Sequence, residues 1–460
     1  MYQSGNAVSH LNNRNVLVMG LGLFGGGVGA VRFLCNAGAH VTVTDLRGED
    51  DLKESVEALK GLDITYVLGH HQEEDFARSD LVVANPGVPR SSKYLEIAEE
   101  SGVPITTEIC LFVERCEAPV IGITGSSGKT TTTCLLAAML GQESREVFSG
   151  GNIGGSLLGQ LENISSDSRI VLELSSFQLD YLGTIHWSPD VAVVTNFAPN
   201  HLDVHGSLEA YRKAKQEIVQ HQDASGVVIL NGDDPEVRGW GKAKRHLFSA
   251  EGAVQRGTYV DLDRIMHNLS GEPKEICKTG SLKLPGKHNL RNALAAACTA
   301  LSAGISESAI ASVLESFQGV EHRLEFVARL GGVSFVNDSI ATSPERTQVA
   351  LDAVPGNIVL IAGGYDKGLA YDHLGPVIGR RVSNLVLLGD TAEEIADSVP
   401  KGSATRIHRT DNLAAAVNKS RALAGEEGTV LFSPASASYD MFRNFADRGK
   451  KFKELVKEMN

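Results

Sequence analysis

The chain lacks the features that would send it to a membrane, a nucleic acid or an oxidising compartment. No apolar run approaches the roughly 18 residues that a membrane-spanning helix needs. Positive charge is in deficit: 43 Lys and Arg stand against 56 Asp and Glu, a net charge of −13. With no basic tract either, nucleic acid and anionic lipid are poor partners. The six cysteines, at positions 35, 110, 116, 134, 277 and 298, show no metal-ligand spacing. No secretory apolar segment opens the sequence, so the expectation is a reduced, cytoplasmic protein. Short-period repeats and low-complexity linkers are absent as well.

What is present is ordinary for a soluble globular chain: 42% hydrophobic and 22% charged residues over 460 positions, enough for two to four domains. Strand and helix signals alternate. NVLVMG (15–20), HVTVTD (40–45) and DLVVANPG (80–87) read as strands of one α/β unit. IVLEL (170–174), VAVVTN (191–196) and GVVILNGDD (226–234) belong to a second. VSFVND (333–338), NIVLIAGG (357–364), NLVLLGD (384–390) and TVLFSPA (429–435) form a third. The polar, glycine-interrupted stretch 240–282 reads as a less regular excursion, and 284–304 as a helix. Three α/β units in series follow, each ending strands where ligands normally dock.

The strongest motif is APVIGITGSSGKTTTT, residues 118–133, in which an apolar strand meets glycines, a lysine and a helix opened by threonines. Backbone N–H groups of such a loop face an anion, the helix terminus adds positive charge, and Lys129 reaches the outer phosphates. Thr130 is placed to offer its hydroxyl to Mg²⁺. The strict pattern G-x-x-x-x-G-K-[ST] is missed, since its first glycine falls on Ile123, so this is a variant loop of a nucleoside triphosphate user. Gly20-x-Gly22-x-x-Gly25, with Asp45 ending the next strand, matches a fingerprint for a diphosphate-bearing ligand, NAD being one candidate.

Glu173 ends the strand IVLEL, where a metal ligand or water-positioning group is wanted. NFAPNHLDVH (196–205) crowds Asn200, His201, Asp203 and His205 into one strand-end loop. Lys215 lies in SLEAYRKAKQEIVQ and by pattern reads as a surface lysine. In the last unit His322, Arg323, Asp338, Ser339, Thr342, Lys367 and the segment SPASASYDMFRNF (433–445) follow strand ends or glycine loops.

Together TGSSGKTTT, ELSSFQLD, NHLD, YRKAK, LNGDD, PGKHNLRNA, EHRLE, NDSIAT and SPASASYDMFRNFADRG resemble the Mur ligases over essentially the whole chain. ELSSFQLD and SPASASYDMFRNF are most similar to the branch that adds D-glutamate to UDP-N-acetylmuramoyl-L-alanine. The resemblance implies an α/β chain of three consecutive domains. A Rossmann-like UDP-sugar domain would span 1–107 and a P-loop ATPase-like domain 108–319. A Rossmann-like domain that takes the amino acid and closes on the nucleotide would span 320–460.

The resemblance also implies that Gly125, Ser126, Ser127, Gly128, Lys129, Thr130 and Thr131 hold ATP. Asn289, Asn292, Arg323 and Asp338 would meet the rest of the nucleotide. Thr130, Glu173, His201 and Lys215 would serve two Mg²⁺ ions, with Lys215 carbamoylated by CO₂, which displaces its surface reading. Leu23, Phe24, Asp45, Arg47, Asn85, Gly87 and Asn152 would surround the UDP-sugar, so the first fingerprint would take UDP. Thr342, Lys367, Ser438 and Phe445 would hold the incoming glutamate. The active form is expected to be a monomer. Lys129, Glu173, His201 and Lys215 would carry the chemistry, the substrate carboxylate attacking the γ-phosphorus of ATP and glutamate's amine attacking the resulting acyl phosphate.

The chain departs from that branch at Ile340, where a lysine is usual, and at Phe24 and Leu46, which replace hydroxyl-bearing residues. Three alternatives carry their own tests. A ligase adding L-glutamate or another acidic residue would turn over without D-glutamate. An NAD-linked oxidoreductase would bind nicotinamide, and a non-catalytic ATP-binding protein would form no amide.

Overall fold

The computed structural model describes residues 11–22, 25–143, 146–153, 155–200, 202–284, 286–366 and 368–459. Leu23, Phe24, His201 and Lys367 therefore lie outside the described residues. The chain divides into two compact units, one up to Phe317 and one from Gln318.

The first unit holds two sheets. Strands β1 (Asn15–Met19), β2 (His40–Asp45), β3 (Ile64–Leu68), β4 (Leu81–Ala84) and β5 (Ile105–Thr106) form a parallel sheet in the order β3-β2-β1-β4-β5. Helices lie between successive strands, as expected of an open doubly wound sheet. Its strand order reverses between β1 and β4, so the loops after Met19 and Ala84 border the crevice where ligands dock in such sheets.

The second sheet is built from β6 (Val120–Thr124), β7 (Val147–Gly151), β8 (Arg169–Glu173), β9 (Val191–Val194), β10 (Val227–Asn231), β11 (Lys244–Ser249), β12 (Gly257–Asp261), β13 (Arg264–His267) and β14 (Lys274–Lys278). Its order is β14-β13-β12-β11-β10-β9-β6-β8-β7. β6, the entirely buried run VIGIT, pairs in parallel with β8 and β9. A fully buried apolar run of this kind suits a strand covered on both faces. Stretch 240–282 departs from its irregular reading: it supplies β11 to β14, which prolong the sheet, the last two pairings being antiparallel. These strands are short, and the hairpin between β12 and β13 turns on Leu262, 92% exposed at φ 54°, a turn that no glycine announces.

The two sheets share one apolar core, running from Leu17, Val43 and Val82 through Ile109 and Phe112 to Leu172, Leu179, Val194 and Leu230. A second core, around Leu136, Ile229, Leu294 and Ile310, fills the other face of the central sheet. Each fully buried Leu, Ile or Val contributes about 1.5–3 kcal/mol.

The second unit is a single sheet of β15 (Glu325–Leu330), β16 (Val333–Asn337), β17 (Ile358–Ala362), β18 (Val382–Leu387), β19 (Arg406–Arg409) and β20 (Thr429–Phe432), ordered β15-β16-β20-β17-β18-β19. Only the edge strand β15 runs antiparallel, and cores on both faces are built on alternate residues of the same strands. Among the described residues no helix is long and apolar enough to cross a membrane.

Candidate active site

The phosphate loop lies where the sequence places it, between β6 and the helix Lys129–Gly141. Gly128 sits at φ +80°, and a Cβ there would lie 2.2 Å from Asn292 Oδ1, so backbone conformation and space both require glycine. The loop is braced from the end of β9. The Ser127 N–H donates to Asn196 Oδ1 at 2.9 Å, and Thr195 Oγ1 donates to the Ser127 carbonyl at 2.6 Å. Ser126 Oγ donates to Ala198 O and accepts from Ala198 N–H, at 2.8 and 2.9 Å. Thr130 is buried in the first helical turn and Thr131 half-buried beside it. The helix Lys287–Ser302 brings Asn292 against Gly128, its Nδ2 donating to Asn289 Oδ1 at 3.4 Å, so both asparagines border the loop.

Two amines converge on one carbonyl. Lys129 Nζ and Lys215 Nζ each donate to Gly125 O at 3.0 Å, and Lys215 also reaches Thr124 Oγ1 at 3.3 Å. Lys215 is 2% exposed, which corrects its surface reading. It belongs to the apolar stripe of the helix Leu208–Gln220, which buries Tyr211, Ala214, Lys215, Ile218 and Val219. That spacing of three and four is one helix face, and a lysine falling on it was a legible signal. Burial first, and then the neighbouring Lys129 charge, push the Lys215 amine well below the ordinary lysine range; Glu173 opposes the shift. Tyr211, one turn earlier, lies under Lys215 Nζ at 4.9 Å and joins its hydroxyl to Ser126 Oγ at 3.1 Å. Sequence reasoning passed over Tyr211, although its position four residues before Lys215 puts both on one face.

Glu173 ends β8 and is 2% exposed. Its Oε1 accepts from Asn152 Nδ2 at 3.0 Å, while its Oε2 is buried with no hydrogen-bond partner among the described residues. A buried, unsatisfied carboxylate oxygen is costly unless a cation or donor fills it. The described residues hold no cluster of three or more His, Cys, Asp or Glu side chains suited to a metal. A cation here would rest on a mixed set of hard oxygens, the Glu173 carboxylate, the Thr130 hydroxyl and nucleotide phosphate, which fits Mg²⁺. His205, which ends the NFAPNHLDVH segment, bonds Ser176 Oγ at 2.9 Å and stacks on Phe177.

At the edge of the first sheet, Asp45, Asn85 and Gly87 gather around the glycine turn. Asp45 accepts from the Gly22 and Arg47 N–H groups at 3.3 and 3.0 Å. Asn85 donates to Gly20 O at 3.2 Å and accepts from the Gly87 N–H at 3.0 Å. Arg47 itself is exposed, as is Leu46. Asn152 is held elsewhere: its side chain and backbone N–H both bond Glu173.

In the second unit Asp338 is buried at the end of β16, accepting from the Leu324 N–H at 3.1 Å and from Ser433 Oγ at 2.7 Å. Burial pushes its carboxyl up to about 6, against the Ser433 and Leu324 donors and the Arg323 charge. Arg323 is flanked by His322 and Leu324 at φ 64° and 45°. Two non-glycine residues in the left-handed region cost about 1–3 kcal/mol each, strain of the kind found at functional loops. Thr342, Ser438 and Phe445 follow β16 and β20, which are neighbours in the sheet. Arg448, missed by the sequence reading, ties these segments together. It donates to Ser339 Oγ and O, Ala437 O and Ser436 O at 2.7–3.1 Å, and Ser339 Oγ donates to Phe445 O.

Comparison with known proteins gives this geometry a context. Residues 14–107 match the Mur ligase MurD-like N-terminal domain, 123–300 the Mur ligase middle domain and 322–436 the Mur ligase glutamate ligase domain. The chain is 42% identical to a UDP-N-acetylmuramoylalanine–D-glutamate ligase from Roseiflexus, over 97% of this chain and 99% of that one. A protein of the same name from Symbiobacterium thermophilum is 42% identical over 96% and 98%. Among solved structures, a UDP-N-acetylmuramate-alanine ligase from Thermotoga maritima aligns with TM-score 0.59 at 19% identity, over 97% of this chain and all of that one. A MurF ligase from the same organism, in complex with ADP, aligns with TM-score 0.55 at 19% identity, over 98% and 100%. At such identities the structures speak for the fold, and the close relatives and the three matched domains for the family. On these grounds the chain belongs to the Mur ligase family.

Proposed function

We propose that this protein joins D-glutamate to UDP-N-acetylmuramoyl-L-alanine with hydrolysis of ATP to ADP and phosphate, a cytoplasmic step of peptidoglycan precursor synthesis on which cell shape and division depend. The observation that carries the chemistry is the convergence around the phosphate loop of Lys129, Lys215 and a Glu173 Oε2 with no hydrogen-bond partner among the described residues. The choice of amino acid rests on the relatives' names and on identity spread over the whole chain.

The substrate carboxylate attacks the γ-phosphorus and ADP leaves. Two anions must approach each other, so Lys129, the loop N–H groups and the helix terminus offset their repulsion. Glutamate's amine then attacks the acyl phosphate, and phosphate leaves from a tetrahedral intermediate. Water would hydrolyse the acyl phosphate, so the bound state must exclude it. Thr130, Glu173 and His201 would hold Mg²⁺, which would supply charge neutralisation at the phosphates; two ions are what the family resemblance implies.

Burial and the Lys129 charge shift Lys215 toward the neutral amine, the form that adds CO₂, and its carbamate would supply a second anionic ligand. Asp45, Arg47, Asn85 and Gly87, with Leu23, Phe24 and Asn152, take the UDP-sugar. Thr342, Lys367, Ser438 and Phe445 take glutamate, and Asn289, Asn292, Arg323 and Asp338 the nucleotide. Residues 1–107, 108–319 and 320–460 are assigned to these three tasks in a monomer.

A second reading, an L-glutamate or other acidic amino acid as acceptor, draws on Ile340. Its side chain offers no charge to a carboxylate, and its carbonyl is engaged by Arg346 at 3.0 Å. The purified protein with ATP, Mg²⁺ and UDP-N-acetylmuramoyl-L-alanine is given D- or L-glutamate in parallel, following phosphate release and product mass. Turnover with D-glutamate alone is expected. Turnover with L-glutamate alone selects the second reading, and no turnover with either removes both enantiomers of glutamate as acceptor.

A further inference from the structure

The second unit holds an acid that the mechanism above does not use. Asp440 lies in the loop after β20, two residues beyond Ser438. Both its carboxylate oxygens are buried with no hydrogen-bond partner among the described residues. Its own N–H and that of Met441 face it outside hydrogen-bond geometry, the latter donating to Ser438 O at 3.2 Å. Arg448 attracts it but gives its hydrogen bonds to Ser339, Ser436 and Ala437. Burial and the Asp390 charge push the Asp440 carboxyl up, against the pull of Arg448. Leaving buried acceptors unfilled costs about 1–3 kcal/mol each.

The backbone is nonetheless cut to seat this carboxylate. Gly389, just after β18, sits at φ +78°, and a Cβ there would stand 2.3 Å from Asp440 Oδ2 and 2.8 Å from Gly364 Cα. The loops after β17, β18 and β20 are tied together around it. The Thr391 N–H donates to Gly364 O at 3.1 Å, the Tyr365 N–H to Ala437 O at 3.0 Å, and Thr391 Oγ1 meets Ser436 Oγ at 2.8 Å. These are the carboxyl ends of three neighbouring parallel strands, the end at which open α/β sheets take ligands. Tyr439 immediately precedes Asp440 and Tyr365 immediately follows Gly364. Their rings meet edge to face at 5.9 Å, Tyr365 exposed and Tyr439 half-buried. The described residues place no metal-holding cluster of three His, Cys, Asp or Glu here. An organic ammonium needs only one carboxylate, brings three N–H donors of its own, and is favoured by aromatic faces.

We propose that Asp440 receives the ammonium group of the incoming amino acid, with Tyr365 and Tyr439 beside it, and so selects an amino acid over a plain dicarboxylic acid. This rests on the reading of the second unit as the amino-acid site, and the test reads binding directly, apart from ligase turnover. The ammonium supplies the donors that both Asp440 oxygens lack, and its charge offsets the repulsion from Asp390.

The full-length protein and its Asp440→Asn and Tyr365→Leu variants are loaded with Mg²⁺, a non-hydrolysable ATP analogue and UDP-N-acetylmuramoyl-L-alanine. Each is titrated calorimetrically with D-glutamate, L-glutamate and glutarate, which keeps both carboxylates and lacks the ammonium. The parent is expected to bind glutamate at least about tenfold more tightly than glutarate. Asp440→Asn, which keeps the shape of the side chain, should lose about 10–100-fold in glutamate affinity, the scale of one charge-assisted hydrogen bond, with glutarate held within about twofold. Tyr365→Leu, at an exposed position, should lose about 2–5-fold for glutamate alone and carries the test where Asp440→Asn does not fold. Parental glutamate affinity in a folded variant, equal losses of glutamate and glutarate, or a parent that binds both alike overturns the assignment. A parent that binds none of the three overturns it together with the proposed function. Glutamate binding that depends on Asp440, without amide formation, leaves the inference standing while the proposed function falls. The same dependence with L-glutamate alone supports it and selects the second reading.

Discussion

Among the described residues each unit buries one lysine or arginine side chain, and the two are treated in opposite ways. Arg448, in the second unit, gives four hydrogen bonds, three of them to backbone carbonyls. Burial pulls it down to about 9, so it is still charged at neutral pH. Lys215, in the first unit, gives two hydrogen bonds, shares one acceptor with Lys129, and is pushed well below its usual range. Arg448 spends four of its five N–H groups and acts as a cross-brace between the 339 and 436–437 segments. Lys215 makes two hydrogen bonds and faces the neighbouring Lys129 charge, which with burial disfavours its own protonated form. Burial alone does not mark chemistry; unspent bonding capacity does.

The comparison breaks first at Lys215. Lys215→Ala is expected to lower kcat by about 10²–10³-fold, the scale of deleting one preorganised electrostatic group, with short carboxylic acids restoring part of it. Unchanged turnover would place Lys215 beside Arg448 as a brace. Arg448→Met should do the reverse, destabilising the unit from Gln318 by about 3–5 kcal/mol, because three buried carbonyls and a hydroxyl lose their donor. Calorimetry should show its melting fall by about 10 °C or more; a melting temperature within a degree or two of the parent would deny the brace.

What was legible follows the same divide. The phosphate loop and Glu173 were readable because strand-to-helix punctuation by Gly122, Gly125 and Gly128 is local. By pattern Lys215 reads as a surface lysine, although Tyr211, Ala214, Ile218 and Val219 mark its helix face as apolar. Arg448 could not be read, since its acceptors lie 11, 12 and 109 residues away. β11 to β14 escaped because strands of four to six residues with polar faces gain their identity from the sheet they extend.

Two smaller effects sharpen the contrast. Lys215→Met, isosteric but uncharged, should raise the melting temperature of the first unit by ~2–4 °C, the shift given by about 1 kcal/mol, even as turnover is lost. The sign follows from linkage: a lysine lowered on folding binds fewer protons folded than unfolded, so its burden is greatest at low pH, below the lowered folded-state value, and fades as pH rises toward 10.5. A fall in melting temperature would show that the amine's two bonds outweigh its burial.

The smallest effect belongs to Asp338. Its carboxyl is raised to about 6 from 3.8, so the folded form holds the proton more tightly. The associated stability is present below pH 3.8 and lost as pH rises through about 6. Asp338→Asn should flatten the stability profile of the second unit between those values by a few tenths of a degree to a few degrees; an unaltered pH profile would deny the shift.

The apolar core that joins the first two sheets has a consequence for anyone who cuts or recombines this gene. Leu17 and Val82 of one sheet share that core with Leu172 and Val194 of the other. A truncation at residue 107 would expose it on both fragments and yield aggregating pieces, whereas a cut near residue 318 spares it. Chimaeras that trade the ending of this chain for that of a relative should therefore express well when joined at that point. Those joined near residue 107 would need their facing side chains exchanged as a matched set.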